Sequence, residues 1–382
     1  MYSDATRKLN VRKNNGLYRD RIILDGPQGV NVSVAAKDYL SFCSNDYLGL
    51  ANHPELIKVA CEGAHKYGLG AGASHMIIGH HVSHYNLEEM LANFTGFPSA
   101  LLFSTGYMAN AGVISALIGR GDEIYSDKLN HASLNDAAIL SHAKWIRYPH
   151  FDLGLLENRL SVSRAKRKLV VTDAVFSMDG DIAPAVELLA LCEKYNAWLL
   201  LDDAHGFGVI GNKGRGILSY YNLSSPRIIY MATLGKAAGV FGAFIAGQKV
   251  VIDTLIQYAR SYIYTTAMPP LLSYVLLKSL ELIKGEEWRR KKLIQLIKYF
   301  KKNLTLSRWS LLPSDTPIQP IIIGDTREVI QIRNELKNRS ILVPAVRPPT
   351  VPKNSSRIRI SLSAAHSIKD IDCLIKALQE LE

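Results

Sequence analysis

The sequence predicts an α/β protein, with a large domain built on a mostly parallel seven-stranded sheet and a small α+β domain at the C-terminus. Three observations carry this. Short apolar runs alternate with amphipathic helical stretches through the middle of the chain, as strands and crossover helices do. At 382 residues the chain exceeds the usual size of one domain. Beyond Lys284 the pattern changes to a basic helix followed by strands and helices in a different rhythm.

Taken in order, residues 1–50 read as an N-terminal arm that ends in the turn-rich segment 44–50, SNDYLGL. Residues 51–284 form the expected large domain. Its candidate strands are 100–103, 123–126, 144–148, 168–172, 197–201, 227–232 and 243–246, with helical patterns such as 108–118, 185–195 and 250–261 between them. Residues 285–382 form the expected small domain. It opens with the basic helix to about residue 303, then strand 319–323, helix 326–338, strands 341–344 and 357–362, and a last helix over 368–381.

Composition excludes several classes. Hydrophobic residues make up 48% and charged residues 21%, which is close to a globular average and leaves no room for disorder or a fibre. The 4 cysteines are scattered without a CxxC, so neither a disulfide framework nor a zinc ribbon is expected. The N-terminus lacks an apolar secretory core. Segment 261–277 contains Pro269 and Pro270, and 228–248 contains a lysine and four glycines, so neither reads as a membrane span. A cytoplasmic protein with no membrane partner is expected. The net charge of +11 invites a nucleic-acid reading. However, the larger basic cluster, Arg289 to Lys302, interleaves with Trp288, Leu293, Leu296, Ile297 and Phe300 at helical spacing. That is a solvated amphipathic face, and no nucleic-acid motif supports it, so no nucleic-acid partner is expected.

Lys236 is the sole charged side chain from Ile228 to Gln248. An isolated lysine in an apolar, glycine-rich run is expected to be desolvated, which favours the neutral nucleophilic amine. In 197–208, AWLLLDDAHGFG, an apolar strand ends in Asp202 and Asp203 and then His205. Ligands of open parallel sheets bind beyond the carboxyl ends of the strands. Adjacent strand residues face opposite ways, so only Asp202 is assigned to that site. In 100–117, a strand runs through STGY into a helix, a junction that offers free amides and a positive dipole end to a phosphate. His131 lies just past the strand end at Ser126. His80 and His84 are four apart, but His81 stands where HExxH needs its glutamate, so no zinc-peptidase chemistry and no metal are expected. No GxSxG elbow supplies a serine nucleophile. A lysine, a strand-end carboxylate and a phosphate-binding helix terminus together suit pyridoxal 5′-phosphate.

Six segments then carry a resemblance. NDYLGL (45–50), LNHASL (129–134), VFSMDGD (175–181), DDAHGFGVIG (202–211), TLGK (233–236) and RPPTVP (347–352) resemble the α-oxoamine synthases, in order from about residue 16 to the C-terminus. These are fold-type I pyridoxal phosphate enzymes that condense an amino acid with an acyl thioester and release carbon dioxide. The resemblance implies that Lys236 carries the cofactor and moves the substrate α-proton. Asp202 would pair with the pyridinium nitrogen, His205 with the ring oxygen, and His131 would stack on the ring and face the substrate. Gly106, Tyr107, Ser177 and Thr233 would hold the cofactor, with Thr265 and Thr266 reaching the phosphate of a neighbouring subunit, hence a homodimer with shared active sites. Arg359 would grip the substrate carboxylate, with Arg19 and Thr350 as further substrate contacts. RPPTVP resembles the branch of the family in biotin synthesis, which uses L-alanine and a pimeloyl thioester on coenzyme A or acyl carrier protein. The alternative is a glycine-using branch such as the aminoketobutyrate ligases. Two departures from the family pattern are Phe207 after Gly206 and the histidine-rich segment 74–84.

Overall fold

A short antiparallel hairpin, β1 (Asn31–Val34) and β2 (Lys37–Ser41), opens the β-structure, its turn made by Ala35 and Ala36 at positive φ. The computed structural model describes every residue from 1 to 382. The chain forms two compact units, one of residues 52–177 and 182–290, the other of residues 1–51, 178–181 and 291–382.

The larger unit holds β3 (Ser99–Phe103), β4 (Glu123–Asp127), β5 (Lys144–Tyr148), β6 (Lys168–Asp173), β7 (Trp198–Asp202), β8 (Ile228–Thr233) and β9 (Ala243–Gly247). They form one seven-stranded sheet in the order β3-β9-β8-β7-β6-β4-β5. β8, β7, β6, β4 and β5 are mutually parallel, and β9 runs antiparallel to both β8 and β3. The strands match the seven apolar runs of the sequence to within a residue or two. Leu199, Leu200 and Leu201 are all fully buried, as a central strand covered on both faces requires.

Alternation decides which side chains meet which layer. Leu101, Phe103, Leu169, Val171, Leu200, Ile229, Met231 and Ile245 share a cluster with Ala109, Val113, Ile114 and Leu117 of the helix Gly106–Leu117. Each fully buried residue of this kind stabilises the fold by about 1.5–3 kcal/mol before entropy. On β7, Leu200 and Asp202 share a face, so Asp202 points to the side of that helix. Elsewhere in the unit, helices Pro54–Tyr67 and Pro270–Gly285 pack closely at Gly63, where a Cβ would come 2.9 Å from both Leu271 and Tyr274.

In the other unit, β10 (Ser310–Leu311), β11 (Ile318–Gly324), β13 (Ala345–Val346) and β14 (Ser356–Ser361) form a four-stranded sheet, and β12 (Ile341–Leu342) pairs in parallel with β2. The helix Thr326–Asn338 is capped by Asp325, and Ile368–Gln379 by a Ser367–Asp370 capping box. Two findings differ from the sequence reading. Residues 1–50, expected as an arm, fall in the unit that also holds 291–382 and begin with a solvated helix, Tyr2–Asn14. The expected strand 341–344 is shortened to two residues, which pair with the hairpin. No helix is long and apolar enough to cross a membrane.

Candidate active site

The carboxyl end of β7 places Asp202 in the larger unit, 3% exposed. Its Oδ1 accepts the Ala204 amide at 3.1 Å and its Oδ2 accepts Asn110 Nδ2 at 2.8 Å. Asn110 lies one turn into the helix Gly106–Leu117 and is fully buried. Its Nδ2 also donates to Ser133 Oγ at 2.9 Å, and Ser133 Oγ lies 2.8 Å from His131 Nδ1. A continuous hydrogen-bonded chain therefore joins Asp202 to His131 through two neutral side chains. The His131 amide donates to Asp173 Oδ2 at 2.6 Å, which ties this chain to the end of β6.

Asp203 turns the other way. It is fully buried, and its Oδ2 accepts the Ile217 amide at 2.7 Å and the Tyr230 hydroxyl at 2.8 Å. Burial pushes its carboxyl up to about 7. Burial also holds Asp173 well above the usual carboxylate range, reinforced by the charge of Asp202. His131 caps the helix Ala132–Leu140, and desolvation by the surrounding protein holds it below its ordinary pKa against the pull of Asp202.

His205 is 6% exposed, and its Nε2 lies 2.9 Å from Lys236 Nζ. Lys236 sits in the turn after β8, where the Leu234 amide bonds Gly242 O and the Gly239 amide bonds Lys236 O. It is half-buried, more open than its uncharged sequence context suggests. The helix Gly106–Leu117 starts beside these groups, with Thr105 accepting the Met108 amide at 3.2 Å. At Gly106 a Cβ would meet Thr233 Cγ2 at 2.8 Å, so backbone alone fits between helix and strand end. Thr233 donates to Ala204 O at 3.4 Å, and the Tyr107 hydroxyl donates to Asp136. Ser177, Thr265 and Thr266 lie in loops of this unit, the first two half-buried and Thr266 exposed.

The remaining expected residues are in the other unit. Arg359 projects from β14, 5% exposed, and donates to Ser361 Oγ at 2.6 Å, to Asn45 Oδ1 at 3.2 and 3.3 Å and to the Tyr47 hydroxyl at 3.4 Å. Arg19 donates to Thr350 Oγ1 at 3.0 Å, so two positions 331 residues apart meet.

Sequence reasoning missed Asn110, Ser133, Asp173, Asn45 and Tyr47. Asp173 carried the same signal as Asp202, a carboxylate closing an apolar strand. Ser133, Asn45 and Tyr47 stood inside the segments LNHASL and NDYLGL. Asn110 offered only its place one turn past STGY.

These residues fit pyridoxal phosphate. A buried carboxylate at a strand end, an amine 2.9 Å from an imidazole and a helix start admitting only backbone suit a pyridine nitrogen, an aldehyde and a phosphate respectively.

The chain matches the family described as aminotransferase class I and II over residues 37–378. It is 63% identical to an 8-amino-7-oxononanoate synthase of Nitrosospira multiformis, over 98% of this chain and 94% of that protein. A protein of the same name from Pseudomonas syringae is 49% identical, over 100% and 96%. Among solved structures, an 8-amino-7-oxononanoate synthase from Francisella tularensis is 30% identical, with a TM-score of 0.78 over 90% of this chain and 96% of that one. A serine palmitoyltransferase from S. paucimobilis is 26% identical, with a TM-score of 0.93 over 100% and 97%. The chain belongs to the aminotransferase class I and II family, and within it to the α-oxoamine synthases.

Proposed function

We propose that this chain condenses L-alanine with a pimeloyl thioester to 8-amino-7-oxononanoate, releasing carbon dioxide and the thiol, as a step of biotin synthesis. The observation that carries this is the 63% identity to a protein of that name over nearly the whole of both chains. Pyridoxal 5′-phosphate is the cofactor, and it supplies an electron sink for the pair left on alanine Cα.

The chain's own groups do the rest. Lys236 Nζ would anchor the cofactor and would take the Cα proton of bound alanine. The net reaction would join alanine Cα to the acyl carbonyl carbon in place of the thiol. The alanine carboxylate then departs as carbon dioxide, and Cα regains a proton. Asp202 would pair with the pyridine nitrogen and keep it protonated; its own orientation is held by Asn110 and the Ala204 amide. His205 would hydrogen-bond the ring oxygen, and His131 would stack on the ring and face the substrate. Gly106, Tyr107, Ser177 and Thr233 hold the cofactor. Arg359 pairs with the substrate carboxylate, a role its buried planar donor fork suits. Arg19 and Thr350 contact the acyl substrate as the joined pair seen here.

A homodimer is part of this reading, with Thr265 and Thr266 completing the partner's phosphate site. Its support is the exposure of Leu69, Met76, Ile77, Ile78 and Val82, with Ile78 80% exposed, more apolar surface than a lone chain favours in one short segment. Cytoplasmic residence agrees with four free cysteines.

The test is purified holoenzyme with L-alanine or glycine and pimeloyl, acetyl or succinyl thioesters on both carriers, with the ketone identified by mass. Alanine with the pimeloyl chain should give the highest kcat/KM. Glycine with acetyl thioester as the best pair would make it an aminoketobutyrate ligase, and glycine with succinyl thioester an aminolevulinate synthase.

A further inference from the structure

The histidines of segment 75–84 have no part in this chemistry. His75, on the π-helical turn His75–Gly79, and His84, on the helix Val82–Thr95, are buried, whereas His80 between them is exposed. His75 Nδ1 and His80 Nδ1 lie 2.9 Å apart, and one nitrogen from each of the three rings lies within 4.8 Å of the others. The rings are held from outside the cluster. His75 stacks on Tyr262 at 4.9 Å and 11°, and His84 Nε2 is bonded to Met268 O at 2.7 Å. The turn itself needs glycine, since a Cβ at Gly79 would lie 2.2 Å from Ala73 O. That tight closure is what returns His80 over His75.

We propose that His75, His80 and His84 form a structural site for a zinc-class divalent cation, which clamps the turn 75–79 onto the start of the helix Val82–Thr95. Three imidazoles with a water in the fourth position are a standard tetrahedral donor set for zinc. His80 is the surface member of the cluster and would leave the fourth position to that water.

The nitrogens are prepared for it. The bond to Met268 O places the proton of His84 on Nε2 and leaves Nδ1 as its donor atom, the orientation usual for metal-bound histidine. Zinc–nitrogen bonds of about 2.0–2.1 Å place tetrahedral ligands about 3.3 Å apart, so His75 and His80 open by a few tenths of an ångström. The metal also replaces the His81 amide, which reaches His84 Nδ1 at 2.9 Å. That amide belongs to the N-cap residue of a helix and is satisfied by water when released.

None of the three histidines is among the residues assigned to cofactor or substrate, and the test reads metal binding and melting rather than turnover. The experiment titrates chelator-treated holoenzyme with Zn²⁺ by calorimetry and with Co²⁺ by visible absorption, for wild type and His80→Ala. The wild type should bind one Zn²⁺ per chain beyond any held by the cofactor, show tetrahedral cobalt bands and melt at a higher temperature with zinc. His80→Ala should bind at least about tenfold more weakly and lose the melting shift. Equal binding by both proteins, octahedral cobalt only, or no binding would each overturn the proposal.

Discussion

Asp203→Asn separates the two carboxylates that close β7. The folded Asp203 carboxyl is pushed up by burial to about 7, against 3.8 as its ordinary value. Between those pH values the folded chain keeps a proton that the unfolded chain has released. The resulting stabilisation is complete below pH 4 and is lost as pH rises toward 7. At about 1.4 kcal/mol per pH unit, the two units between pH 5 and pH 7 are worth on the order of 3 kcal/mol. Asparagine is neutral at every pH, and its carbonyl oxygen can accept the same two bonds from Ile217 and Tyr230. Urea unfolding at fixed protein concentration and pH 5, 6, 7 and 8 should therefore show the variant gaining on wild type as pH rises, then levelling off. Turnover should stay within a few-fold. Asp202→Asn should instead lower turnover roughly 10²-fold, a magnitude typical of removing one preorganised electrostatic group. Stability curves that stay parallel across pH would refute the buried-proton argument, and equal losses of turnover from both variants would refute the assignment of faces.

Gly63→Ala should destabilise by about 1–3 kcal/mol in urea unfolding, because its methyl group enters space held by Leu271 and Tyr274. Arg359→Lys should raise KM for alanine at least about tenfold with a smaller effect on kcat, since the planar fork and not the charge is lost. Burial pushes Glu123 up, but hydrogen bonds from Ser163, Tyr125 and Lys144 override it and hold the carboxyl at about 2. Its stabilisation is present above pH 4.5 and lost as pH falls toward 2, so Glu123→Gln should lower the melting temperature at pH 6 and not at pH 2.

The sheet was legible because its strands are short apolar runs bounded by turns, and burial on both faces leaves no polar residue to blur them. The antiparallel course of β9 was not, because periodicity reads burial and carries no direction. The helix Tyr2–Asn14 was missed because none of its residues is buried and no apolar stripe marks it. The partner of β12 was not legible, because pairing with β2, some 300 residues away, is decided by tertiary contact. At the site, Lys236, Asp202, His205 and His131 stood out as charged or titratable groups at strand ends. Asn110 and Ser133, which join Asp202 to His131, are neutral residues whose importance rests on partners 92 and 23 residues from Asn110. A linear pattern does not display such partners.

Reduction of the pyridoxal phosphate-loaded enzyme with borohydride, followed by peptide mapping, tests the central claim most directly. Borohydride fixes the cofactor to whichever amine holds it. The account predicts one label per chain, on Lys236 in the peptide containing TLGK, and no label and no turnover in Lys236→Ala. A label on any other lysine, or turnover surviving in that variant, would contradict it.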